Sequence, residues 1–182
     1  MNNIIELVFI TDCSKAMAGK EFETVGRINS IIDGWRNSGK TVYISTFVFN
    51  NTAVMLHDRL KIEKVRPLTI SELKTGGSAA LYDTVTAVVK HIWNIHHYIR
   101  REDVPEQTIF HIISSGRDTA STKYTRQTVQ KLTDERKTKS RWQFVFENTA
   151  TCIYENNTAD STISDSDFEI LMKILGKKKY KW

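Results

Sequence analysis

Residues 4–11, Ile-Ile-Glu-Leu-Val-Phe-Ile-Thr, form a nearly continuous apolar run that stops at Asp12. A strand buried on both faces reads this way, whereas a strand with one wet face alternates. The period then changes. Phe22, Val25, Ile28, Ile32 and Trp35 recur at helical spacing up to Asn37-Ser38-Gly39, a helix-ending cluster. Thr41 to Phe49 is β-branched and aromatic and predicts a strand, and Asn50-Asn51 predicts a hairpin turn into a second strand from Ala53 to Arg59. A polar stretch leads through Pro67 to Gly76-Gly77-Ser78. Leu81, Val85, Val88, Ile92, Ile95 and Ile99 then make the most regular helical stripe in the chain. Beyond Pro105, Thr108 to Ser114 reads as an apolar strand, Thr125 to Lys139 as a helix with a thin apolar face (Val129, Leu132), and Trp142 to Phe146 as a strand. Phe168, Leu171, Met172 and Leu175 mark a final helix, and no internal repeat is visible.

Strands alternating with amphipathic helices predict an α/β fold: a Rossmann-like, doubly wound, mostly parallel sheet with helices on both faces. The hairpin supplies one antiparallel edge strand. In such sheets ligands bind in the crevice beyond the carboxyl ends of the strands. Three polar clusters fall at such ends: Asp12-Cys13-Ser14-Lys15-Ala16, Gly76-Gly77-Ser78-Ala79 and Ser114-Ser115-Gly116-Arg117-Asp118.

A length of 182 residues suits one domain, expected over residues 1–176 with a basic tail at 177–182. The net charge of +5 changes little, because Lys177, Lys178, Lys179 and Lys181 supply four of those charges and leave about +1 elsewhere. No run of 18 apolar residues occurs, so no transmembrane helix is expected, and the start has no basic n-region of an export signal. Cys13 and Cys152 are too few for a disulfide framework, so free thiols in a reducing cytoplasm are expected.

The three clusters carry a resemblance. Phe9-Ile10-Thr11-Asp12-Cys13-Ser14-Lys15-Ala16-Met17 resembles the first loop of von Willebrand factor type A domains, whose metal-ion-dependent adhesion site reads Asp-x-Ser-x-Ser. Gly76 to Asp83 is similar to the second loop, Gly-Gly-Ser-Thr-Ala-Leu-x-Asp, and Ile112 to Asp118 to the third, apolar residues followed by Thr-Asp-Gly. Trp142 to Phe146 resembles the penultimate strand of small bacterial and phage members, so the resemblance runs from about residue 4 to 148. It implies the type A fold, an interaction role and a divalent cation at the C-terminal edge of the sheet.

The chain departs from the pattern at three positions. Ala16 replaces the second serine, Ala79 the metal-reaching threonine, and Ser115 the third-loop aspartate. Of the matching positions only Asp12, Ser14 and Ser115 retain an oxygen ligand, and Mg²⁺ normally requires near-octahedral oxygens with one or two carboxylates. The expectation is therefore a non-enzymatic protein–protein interaction module with a largely lost metal site. Its ligand-binding rim would be Lys15, Ser78, Arg117 and Asp118, and its protein partner would present an acidic residue to Lys15 and Arg117. Two alternatives stand beside it. One is weak Mg²⁺ or Mn²⁺ binding at a residual site, with Ser78, Ser115 or Asp118 supplying a replacement oxygen. The other is nucleic-acid or anionic-membrane binding through Lys177 to Trp182, which the short cluster makes the weaker reading. No Walker, Gly-x-Ser-x-Gly or His-Glu-x-x-His motif occurs, so no catalytic residue is expected. His91, His96 and His97 lack metal-pair spacing and are expected at the surface of a helix end, and Cys13 as a buried, idle thiol.

Overall fold

A computed structural model describes residues 3–149, and the expected final helix and basic tail lie outside them. Five strands form one sheet: β1 Ile4–Asp12, β2 Thr41–Phe49, β3 Ala53–Lys61, β4 Gln107–Ser114 and β5 Trp142–Asn148. Three helices join them: α1 Glu21–Arg36, α2 Leu81–Tyr98 and α3 Arg126–Ser140. The sheet order is β3-β2-β1-β4-β5, parallel except for the β2–β3 hairpin. This is the predicted doubly wound arrangement.

β1 lies at the centre, and every residue from Ile5 to Asp12 is buried. Its alternate residues feed two cores. Val8 and Ile10 join Phe47, Phe49, Phe110, Ile112, Trp142 and Phe144 under α2 and α3. Ile5, Leu7 and Phe9 join Ile44, Ile109 and Ile113 under α1 residues Val25, Ile28 and Ile32. Full burial of an aromatic such as Phe110 contributes ~2–3 kcal/mol. The stretch 62–75 was expected only to be polar. It in fact adds Ile62, Val65, Leu68 and Leu73 to the second core, at spacings too irregular to show a period.

Thr125 caps α3 through its side chain, which accepts the Thr128 amide at 3.4 Å, and Arg141 ends the helix in the left-handed region with φ 53°. The edge strand β3 slips register twice against β2, between Ile44 and Thr46 and between Thr46 and Phe47. Such bulges twist an edge away from further pairing.

One expectation fails. His96 is not a surface residue: its side chain is 9% exposed, and Nε2 lies 2.5 Å from Oε2 of Glu6, which is itself wholly buried in β1. Arg59 Nε stands 3.5 Å from the other oxygen of Glu6. A charge buried in a strand needs partners, and α2 and β3 supply them. His91, 39% exposed, pairs with Asp58 at 3.2 Å, and His97 is exposed as expected.

Candidate functional site

The sheet's strand path reverses between β1 and β4, and the three polar loops meet beyond the carboxyl ends of these strands. β1 delivers Asp12 there as its last residue, 1% exposed. Oδ1 accepts the Ser14 amide at 2.7 Å, an Asx turn that folds the loop back over the strand end. Oδ2 accepts the Ser114 hydroxyl at 2.9 Å, the Ser115 hydroxyl at 3.2 Å and the Ser115 amide at 3.3 Å. Three donors thus converge on Oδ2 and one on Oδ1. The Ser14 hydroxyl is buried and has no hydrogen-bond partner among the described residues.

Backbone bonds lace the loops together. The Gly76 amide donates to the Cys13 carbonyl at 2.8 Å, and the Lys15 amide to the Gly77 carbonyl at 3.1 Å. Gly77 has φ 70°, and a Cβ there would collide with the side-chain oxygen of Asn51, which accepts the Ser78 amide at 3.0 Å. Thr119 receives the Ala79 amide on its hydroxyl at 2.9 Å and returns its own amide to the Ala79 carbonyl at 2.8 Å. Asp118 turns toward α2, where Oδ1 accepts the Tyr82 amide at 3.2 Å and the Ser121 hydroxyl at 2.5 Å. Asp83 gathers the amides of Thr122, Lys123 and Tyr124 at 2.9, 3.0 and 2.8 Å. Burial opposes ionisation of Asp83, but these amides outweigh it and hold the carboxyl below its ordinary range. Burial, with the Asp12 charge adding to it, pushes the Cys13 thiol up to about 12, so the sulfur stays protonated and unreactive, as expected. Lys15 and Arg117 are both exposed on the rim.

No family model matches the sequence, and no curated protein matches it. Solved structures do match. A manganese-loaded TRAP protein from Plasmodium vivax is similar with a TM-score of 0.54 at 11% identity, over 97% of this chain and 75% of its own. A von Willebrand factor type A structure from Catenulispora acidiphila gives 0.53 at 12% identity, over 78% of this chain and 32% of its own. The fold is of the von Willebrand factor type A kind. An aerotolerance-related membrane protein from Bacteroides fragilis is also similar, with a TM-score of 0.47 at 13% identity over 78% of this chain and 66% of its own. The chain thus spans less than two thirds of two of these structures.

On this type A fold, the sequence-predicted residues separate by what they touch. Asp12, Ser14 and Ser115 come together at one point, with Ser115 serving as a donor to Asp12. Ser78 and Asp118 are held by Asn51 and by the first turn of α2. Ala16 and Ala79 carry no side-chain oxygen, Ala16 being exposed and Ala79 buried in the core under α2. Among the described residues no group of three or more His, Cys, Asp or Glu side chains assembles to hold an ion. Sequence reasoning missed Ser114, the shortest hydroxyl contact to Oδ2; the Ser114-Ser115 doublet at the strand end was its only signal. Among the described residues no helix is long and apolar enough to cross a membrane.

Proposed function

We propose that the protein is a non-enzymatic protein–protein interaction module that binds through the loop rim without a resident metal. The observation that carries this is the donor set on Asp12: two hydroxyls and two amides occupy the one carboxylate at a matching position. The residues present do not fit Mg²⁺. Ala16 and Ala79 offer no oxygen where hydroxyls are needed, and Ser115 donates to Asp12 where a second carboxylate would balance the ion's charge. Recognition then rests on surface complementarity. Lys15 and Arg117, with Ser78 on the second loop and Asp118 beside Arg117 on the third, suit a partner that presents an acidic group. In this reading residues 1–176 act as one unit in the cytoplasm, and Lys177 to Trp182 is an appendage to it.

The orphaned Ser14 hydroxyl favours a second reading, a residual Mg²⁺ or Mn²⁺ site on Asp12, Ser14 and Ser115. The manganese in the Plasmodium structure makes that ion a natural probe. Calorimetric titration with Mg²⁺ and with Mn²⁺, paired with thermal unfolding, decides between the two. A real site at tenfold excess over Kd raises stability by ~1.4 kcal/mol. The metal-free reading expects neither heat nor shift at millimolar ion. A saturable response abolished by Asp12→Ala would overturn it.

A further inference from the structure

The opposite end of the sheet, where β1, β4 and β5 begin, holds a cleft of about 430 Å³. Lys40, Lys137 and Arg141 line it, and Glu106 is the one acid among its described lining residues. The three cations reach it from separate parts of the chain: the turn before β2, the last turn of α3, and the junction of α3 with β5. We propose that this cleft binds a small organic anion through two or more phosphate or carboxylate groups, independently of the loop rim.

Three observations support the assignment. Arg141 occupies the left-handed position that closes α3, with φ 53°. Glycine takes that conformation without steric cost, and a side chain kept there against strain points to a use for it. Cations in the last turn of a helix also compensate its dipole, and that accounts for part of Lys137 and Arg141. It does not account for Lys40, which belongs to another element, or for arginine in a glycine's place. Among the described residues, Glu106 lines the cleft and Asp134 pairs with one of its cations, Lys137, at 3.6 Å. Asp134 is 53% exposed, and the terminal carbonyls of α3 contribute only partial charge. The size completes the argument. The cleft is open to solvent, and its volume of about 430 Å³ exceeds what a single inorganic ion fills. Gln107, Trp142 and Gln143, at the starts of β4 and β5, complete the lining. A guanidinium beside two ammonium groups suits forked oxyanions, which arginine holds in a bidentate grip.

The test is calorimetric titration of the full chain with inorganic pyrophosphate and, separately, with citrate, repeated on Arg141→Gly and Lys40→Gln. Glycine relaxes the backbone at 141, so Arg141→Gly removes the guanidinium while the thermal midpoint holds or rises. The expected result is saturable binding of at least one probe, weakened tenfold or more in each variant. Binding of pyrophosphate alone assigns a phosphorylated ligand, and of citrate alone a polycarboxylate. Absence of saturable binding with both probes, or binding that both variants retain, overturns the proposal.

Discussion

Asp12 holds its loop in place by accepting hydrogen bonds, and its removal should be felt without any ligand present. Asp12→Ala leaves the Ser14 and Ser115 amides and the Ser114 and Ser115 hydroxyls without an acceptor in a site 1% exposed. An unsatisfied buried donor costs about 1–3 kcal/mol, and partial relaxation of the loop brings the expected loss to ~2–4 kcal/mol. Urea unfolding in the presence of a chelator measures it. A carboxylate kept free for an ion would instead give a loss near zero, and that outcome would refute the structural role. The sequence showed Asp12 and Ser115 at strand ends because an apolar run stops visibly there. It did not show that Ser114 turns inward. Ser114 and Ser115 are consecutive and both hydroxyls reach Asp12, whereas alternation along a strand would send neighbouring side chains to opposite faces. Asp118 misleads in the same way, since its place in the third loop says nothing about the α2 amide that it accepts.

At the scale of the elements, α2 and β1 are joined by more than apolar contact. Leu81, Val85, Val88 and Ile92 of the predicted stripe are buried in α2, together with Thr84, Thr86 and Val89 outside it, and His96 sits on the flank of that stripe and meets Glu6. The signal lay in the other partner: an acid inside an otherwise apolar strand requires a counter-group, and no spacing along the chain says which one. His96→Leu leaves Glu6 with Arg59 at 3.5 Å and no hydrogen bond from α2, at an expected cost of ~3–4 kcal/mol near neutral pH. Glu6→Leu combined with His96→Leu should recover part of that loss, because two apolar groups replace two buried polar ones while Arg59 gives up its carboxylate. Denaturant midpoints of the single and double variants form the cycle. Strictly additive losses would mean that the two side chains do not act as a pair.

At the scale of the whole molecule, an ion pair among the described residues ties α1 to β5 across the sheet's second face. Arg27 of α1 grips Glu147 of β5 with two bonds, at 2.8 and 3.1 Å, and the His111 ring stands 3.8 Å from the same carboxylate. Burial works against ionisation of Glu147, but the His111 ring and the Arg27 guanidinium outweigh it and pull the carboxyl down to about 2. A folded pKa below the unfolded one stabilises the protein above pH 4.5, and that contribution fades as pH falls from 4.5 toward 2. Arg27 is 41% exposed, so solvent screening brings the effect to about 1–2 kcal/mol. Glu147→Gln should therefore cost stability at pH 7 and little at pH 2.5, as read from thermal unfolding across that range. An equal loss at both pH values would remove the charge argument. The layer architecture was legible because it needs only the order and period of apolar residues. This pair was not, since its partners are 120 residues apart and each alone reads as an ordinary surface charge.

The strand order carries a consequence for synthesis. β1 is the middle strand, yet its neighbour on one side, β2, begins at Thr41, while its neighbour on the other, β4, ends at Ser114. As the chain leaves the ribosome, the hairpin and α1 can close on β1 early, and a bare row of amides and carbonyls then persists along its far edge. Leu7, Val8, Phe9 and Ile10 stay half-covered from the completion of β3 at Lys61 to that of β4 at Ser114, the time taken to make roughly fifty further residues. At about 5–20 residues per second that is several seconds, in which a crowded cell offers that edge many wrong partners.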